Sequence, residues 1–91
     1  MINNYKVERD FIGNKFYLLN NKLHREDGPA AEYVYGRKEW YKNGLRHRKD
    51  GPAIEYANGL RCWYLNDKCY GYDNDFTNES WYKFVKTLIF S

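Results

Sequence analysis

Two histidines, a recurring aspartate and two cysteines are the residues of this 91-residue chain whose types could do chemistry. His24 and His47 are its only histidines, and each opens the same stretch. His24-Arg-Glu-Asp-Gly-Pro-Ala-Ala-Glu-Tyr-Val-Tyr-Gly36 aligns with His47-Arg-Lys-Asp-Gly-Pro-Ala-Ile-Glu-Tyr-Ala-Asn-Gly59, with nine of thirteen positions identical at an offset of 23. An imidazole can hold a metal or move a proton near neutral pH, and Asp27 and Asp50 could serve as acid–base carboxylates. Recurrence at a fixed offset points to structure instead. A histidine ring nitrogen can bond the turn carboxylate or backbone and hold the loop. An aspartate before Gly-Pro can accept turn amides. Cys62 and Cys69 complete no metal-ligand spacing with the histidines and are too few for a disulfide scaffold. They read as two reduced thiols of an intracellular protein. No Ser-His-acid or Cys-His arrangement recurs, and no phosphate loop is present. The expectation is a protein that is not an enzyme, with no catalytic residues, no metal and no cofactor.

The elements that must position these residues follow from the same offset. Trp40-Tyr41 matches Trp63-Tyr64, Asn43 matches Asn66 and Asn20, and Tyr17 stands where Trp40 does. A period of 23 is too short for a helical pair and suits one hairpin-sized unit. Asn43-Gly44 and Asn58-Gly59 read as two-residue hairpin turns, with both central positions at positive φ, and Asn66-Asp67 as a weaker version. Counting outward, Tyr41 faces Arg46 and Trp40 faces His47. Tyr56 then faces Arg61, Ile54 faces Trp63, and Trp63 faces Tyr70. Strand alternation places Ala31, Tyr33, Trp40, Leu45, His47, Ile54, Tyr56, Trp63, Leu65 and Tyr70 on a core face. Glu32, Glu39, Tyr41, Arg46, Arg48, Glu55, Cys62 and Tyr64 fall on a wetter face, where Glu32, Glu55, Glu39 and Arg48 form cross-strand ion pairs. His24, His47, Asp27, Asp50, Trp40 and Trp63 are assigned structural roles.

After Thr77 the period changes. Trp81, Phe84, Val85, Leu88 and Ile89 recur at helical intervals. Thr77 is placed as N-cap, and Phe76 and Trp81 have the spacing of a hydrophobic staple. A helix this short needs something to pack against, so it caps the open end of the sheet, with Trp81, Phe84, Val85 and Leu88 buried. The fold class is mainly β: stacked antiparallel hairpin repeats with a C-terminal capping helix. One domain spans 1–91, divided into an atypical N-terminal unit at 1–22, repeats at 23–74 and the helix at 77–90.

Composition narrows the function classes. The length fits one domain and excludes a doubly wound nucleotide fold or a TIM barrel. Aromatic residues make up 20% of the chain, enough ring surface to argue against disorder. No run is long and apolar enough to span a bilayer, and the N-terminus lacks a signal-peptide pattern, so a cytoplasmic location is expected. Fifteen Lys and Arg against twelve Asp and Glu leave a net charge of +3, unevenly placed. Arg37, Lys38, Lys42, Arg46, Arg48 and Lys49 make residues 36–49 basic, and Asp67, Asp73, Asp75 and Glu79 make 67–79 acidic. Such asymmetry steers encounters with charged partners.

The stretch from Tyr41 to Gly59 resembles a variant MORN repeat, with His47-Arg48-Lys49-Asp50-Gly51-Pro52-Ala53 in place of the usual His-Gly-x-Gly centre. This His-Arg-x-Asp-Gly-Pro-Ala form is similar to repeats of uncharacterised phage, giant-virus and bacterial proteins. The resemblance covers roughly 17–72. It implies a curved sheet of stacked hairpins and a role in protein contacts, and it carries over no catalytic set. The functional expectation is a non-catalytic protein–protein interaction module, by analogy a phage-type inhibitor of a host enzyme or defence factor. Tyr41, Arg46, Arg48, Tyr64 and Glu39 form the partner-binding surface, because Tyr and Arg are enriched in interface hot spots. A homodimer is compatible with this reading. The alternative is nucleic-acid binding through 37–49, where cations interleave with Trp40 and Tyr41; a membrane partner ranks below both.

Overall fold

The computed structural model describes residues 4–89. Among these, ten strands follow one another: β1 (Tyr5–Arg9), β2 (Lys15–Leu19), β3 (Lys22–Leu23), β4 (Ala31–Glu32), β5 (Lys38–Glu39), β6 (Tyr41–Lys42), β7 (Leu45–Arg46), β8 (Ile54–Glu55), β9 (Arg61–Leu65) and β10 (Lys68–Tyr72). A 3-10 turn at Asp73–Asp75 leads into helix α1 (Asn78–Ile89). The main antiparallel sheet has eight strands, ordered β1-β2-β4-β5-β8-β9-β10 with β3 also pairing β2; β6 and β7 form a separate hairpin.

Two kinds of turn, each recurring every 23 residues, bend the chain. The first is the two-residue type I′ turn, whose consecutive positive φ values match the right-handed twist of the strands it joins. It occurs at Asn20-Asn21 (φ 51° and 65°), Asn43-Gly44 (52° and 82°) and Asn66-Asp67 (48° and 68°). It sets Tyr41 opposite Arg46 and Lys42 opposite Leu45, the register expected from the sequence. The second turn is one residue longer. Tyr33 N–H donates to the Arg37 carbonyl and Gly36 N–H to the Tyr33 carbonyl. The same two bonds appear at 10–14 and at 56–60. Only its glycine is left-handed: Gly13, Gly36 and Gly59 have φ of 107°, 100° and 92°.

That extra residue corrects the expected pairing. Asn58-Gly59 is not a two-residue turn, so Ile54 faces Cys62 and Glu55 faces Arg61. The expected partners, Trp63 for Ile54 and Arg61 for Tyr56, are each off by one. A slip of one residue moves side chains to the opposite face. Phe16, Ala31, Glu39, Ile54 and Cys62 therefore form one cross-strand row on a shared face, here the Glu39 face. Lys15, Glu32, Lys38, Glu55 and Arg61 form the next row, on the opposite face with Trp40 and Trp63. Ala31 and Ile54 thus leave the face expected for them, and Glu32 and Glu55 leave theirs. A further correction lies in the third hairpin, where a bulge between Cys69 and Gly71 puts Gly71, not Tyr70, opposite Trp63.

The repeated His-Arg-x-Asp-Gly-Pro-Ala-x-Glu motif is a clamp. The Arg48 guanidinium lies 3.8 Å from the centre of the Trp40 ring. Its Nε donates to Asp50 Oδ1 (3.0 Å), and its Nη1 donates to the Pro52 carbonyl (3.1 Å) and Glu55 Oε2 (2.8 Å). Arg25 repeats this one unit earlier: 3.9 Å above the Tyr17 ring, with bonds to Asp27, the Pro29 carbonyl and Glu32. Planar donors that stack on a ring and fork onto carboxylates are particular to arginine. The glycine explains itself, because a Cβ at Gly51 would come within 2.7 Å of Arg48 Cζ and one at Gly28 within 2.9 Å of Arg25 Cζ. Asp27 and Asp50 therefore fix an arginine, where turn amides were the expected partners.

In the third unit Gly71 stands where Arg48 would recur, and the helix takes over. Phe76 and Trp81 pack on the fully buried Trp63, ring centres 5.6 Å away in both cases. A Cβ at Gly71 would meet the Phe76 ring at 3.1 Å. Thr77 is the N-cap, its Oγ1 accepting from Ser80 N–H while Ser80 Oγ accepts from Thr77 N–H. The Phe76–Trp81 staple closes at 4.9 Å. Trp81 and Val85 are buried and Phe84 packs against them, but Leu88 remains 39% exposed, contrary to expectation. The Ile89 side chain and residue 90 fall outside the described residues.

The clamp predicts a non-additive pair. Arg48→Lys loses the planar stack and fork and should cost about 1–2 kcal/mol in urea unfolding. Gly51→Ala evicts the same guanidinium and should cost a similar amount. The double variant should cost clearly less than the sum, since a flexible lysine can yield to the new methyl.

Candidate interaction face

On the Glu39 face a carboxylate is buried and organises its neighbours. Glu39 is 4% exposed although it sits mid-sheet on β5. Tyr41, two residues along the same strand line, donates its hydroxyl to Glu39 Oε1 at 2.6 Å. Arg37 Nε lies 2.9 Å from Oε2, and Arg46 Nε, brought opposite Tyr41 by the Asn43-Gly44 turn, lies 3.9 Å from Oε1. A buried carboxylate without such partners would be costly. The arginines are held in turn by rings: Arg37 sits 4.2 Å from the centre of Tyr33 and Arg46 5.6 Å from that of Tyr64. Burial, then the hydrogen bond and charge of Glu39, push the Tyr41 hydroxyl up to about 12. Tyr41 is thus a fixed neutral donor across the physiological range.

Four of the five expected partner-binding residues, Glu39, Tyr41, Arg46 and Tyr64, share this face. Arg48 does not; it is the clamp on the Trp40 face, with its side chain 18% exposed. Arg37 belongs to the cluster and was missed, because the sequence offered it only as one of a basic run. Cys62 and Cys69, both free thiols, lie at the end of this face, where burial pushes the Cys62 thiol up. The loops carrying Asp27 and Asp50 and helix α1 gather on the opposite face. There they flank a groove of about 670 Å³ whose lining includes Asp27, Asp50, Lys42 and Lys49.

The histidines hold hairpins together. Asn43 N–H donates to His24 Nδ1 (2.9 Å) and Asn66 N–H to His47 Nδ1 (3.1 Å), so each ring anchors the turn of the following hairpin. The partner is a backbone group 19 residues away, where the histidine's own loop was expected. An accepting Nδ1 leaves the proton on Nε2. His24 Nε2 meets Glu26 at 2.8 Å. The matching residue in the next unit is Lys49, and His47 Nε2 is buried without a hydrogen-bond partner among the described residues. Burial, then Lys42 and Lys49, lower the proton affinity of His47. Among the described residues no group of His, Cys, Asp and Glu could hold a metal ion. Among them, too, no helix is long and apolar enough to cross a membrane.

His47 makes acid stability testable. Its folded pKa lies below the unfolded value of about 6.5, so the unfolded chain takes up the proton first. The stabilising contribution is complete above about pH 6.5 and is lost as the pH falls through the folded value. Melting temperature should decline as the pH is lowered from about 7 to about 5, ahead of most carboxylate titration. His47→Asn, which keeps an acceptor near the Nδ1 position, should flatten that slope whatever its absolute stability.

No protein-family model matches this chain, and searches of curated proteins and of solved structures likewise return no match.

Proposed function

We propose that the chain is a non-catalytic protein-interaction module that meets its partner through the Glu39 face. The observation carrying this reading is the division of labour between the faces. The Trp40 face commits its motif residues to internal clamps and its aromatic end to the helix. The Glu39 face holds Tyr41, Arg37, Arg46 and Tyr64 in fixed positions around one buried carboxylate. Arginine and tyrosine in a pre-ordered array lose little further entropy on binding, which is what a hot-spot cluster needs. The recurring histidines and aspartates have structural partners, which favours a non-catalytic role. The likeness to MORN repeats of phage and bacterial proteins extends the proposal: the partner would be a host enzyme or defence factor, occluded in the cytoplasm.

The rival is nucleic acid on segment 37–49. Three of its six cations, Arg37, Arg46 and Arg48, are committed to Glu39, Asp50 and Glu55, which leaves Lys38, Lys42 and Lys49 exposed. Affinity capture from host lysate, with and without nuclease, separates the readings. A specific protein partner should survive nuclease and moderate salt and be lost with Tyr41→Ala/Tyr64→Ala in a variant whose circular dichroism is unchanged. Loss of every partner after nuclease, with steeply salt-dependent nucleic-acid binding by the pure protein, would overturn the proposal.

A further inference from the structure

The two ends of the main sheet are finished differently. At the β10 end the strand carries a bulge, and the 3-10 turn and helix follow directly. Bulges and covering elements are the usual protections of a sheet edge. At the other end β1 has neither among the described residues. It pairs with β2 over five residues in unbroken register, contains no proline or glycine, and is exposed along its whole length. Asn20 N–H donates to the Asn4 carbonyl and Asp10 N–H to the Asn14 carbonyl. In an antiparallel ladder the backbone groups alternate sides, so Asn4, Lys6, Glu8 and Asp10 turn theirs toward β2. Tyr5, Val7 and Arg9 turn theirs outward.

The sequence of this open edge, Tyr5-Lys6-Val7-Glu8-Arg9, is complementary to itself. Laid antiparallel on a second copy with Val7 opposite Val7, Lys6 faces Glu8 and Tyr5 faces Arg9, each twice. The outward groups of Tyr5, Val7 and Arg9 then form the hydrogen-bonded pairs. Lys6 and Glu8 fall in the non-hydrogen-bonded positions, where side chains stand closest. Lys6 and Glu8 each meet an opposite charge, Arg9 meets a ring, and Val7, 48% exposed, meets its own copy. A two-fold axis perpendicular to the sheet generates this contact and keeps like faces together. We infer that β1 is a homodimerisation edge, pairing antiparallel with β1 of a second copy about Val7. The inference is independent of the Glu39 face, but it would place two such faces side by side on one continuous sheet. One strand pair is a small interface, so the dimer forms by mass action at high concentration.

Sedimentation velocity across about 10 µM to about 1 mM tests it, since weak dimers populate in that range. The wild type should move from monomer toward dimer. Lys6→Glu sets a carboxylate against Glu8 of the other copy, and Glu8→Lys sets lysine against lysine; each should weaken association about tenfold or more. The double variant K6E/E8K restores opposite charges at both positions and should recover wild-type association to within about threefold. Both side chains are more than half exposed, so the variants should keep the wild-type melting temperature within a few degrees. A protein monomeric at every concentration would overturn the inference and leave the edge to a foreign strand. A dimer indifferent to the single reversals, or a double variant that fails to recover, would overturn it equally.

Discussion

The structure depends on a guanidinium held over an aromatic ring. Most of its strands are two residues long, too short to hold a sheet by backbone bonds alone, and among the described residues the buried apolar cluster is Trp63, Trp81 and Val85. Between that cluster and the N-terminal edge, the rings of Tyr17 and Trp40 are covered by Arg25 and Arg48. Each arginine joins an aromatic strand, an aspartate in its own loop, a proline carbonyl and a glutamate on the next strand. Burying the ring with a charged plane suits a thin sheet, because arginine's face covers the ring while its edge is satisfied by the aspartate, the proline carbonyl and the glutamate. Where the arginine is missing, at Gly71, an apolar helix must replace it. The helix is the third clamp in a different chemistry.

Much of this was legible in the sequence. The Asn-Gly turn at 43–44 fixed its hairpin register, because a two-residue loop with both positions left-handed suits that pair. The change of period after Thr77, with its cap and staple, marked the helix. The register around Asn58-Gly59 was not legible, because Asn-Gly also ends a three-residue loop in which only the glycine is left-handed. That single residue moved Ile54 and Glu55 across the sheet, and its counterpart in the 33–37 loop moved Ala31 and Glu32. Arg48 was misplaced for a related reason: beyond the hairpin the chain leaves the strand, and alternation no longer says where a side chain goes. The signal that could have placed it was present, since Arg25 and Arg48 recur with the aspartate, glycine and glutamate they touch.

The Glu39 cluster shows a second limit of pattern reading. A charged residue at mid-strand suggests a wet surface, and Glu39 was placed on the wetter face accordingly. It is buried because Arg37, Tyr41 and Arg46 converge on it from two strand lines. Only the longer loop ending at Arg37 and the type I′ turn bring those three together, so the cluster exists at the level of the fold. In the neighbouring units the residues matching Glu39 are Phe16 and Cys62, which makes the cluster particular to the middle of the sheet and a distinguishing mark on an otherwise periodic surface.

The arginine clamp can be observed directly by nuclear magnetic resonance of the side-chain Nε–Hε groups. A proton beside a ring face is shielded, and one bonded to a carboxylate exchanges slowly with water. The Arg25 and Arg48 side-chain resonances should be shifted upfield by the rings of Tyr17 and Trp40, with Hε protected from exchange. Arg9, on the exposed β1 edge, should show neither effect at a dilution where the protein is monomeric. Ordinary shifts and rapid exchange for Arg25 and Arg48 in a protein that is otherwise folded would contradict the account.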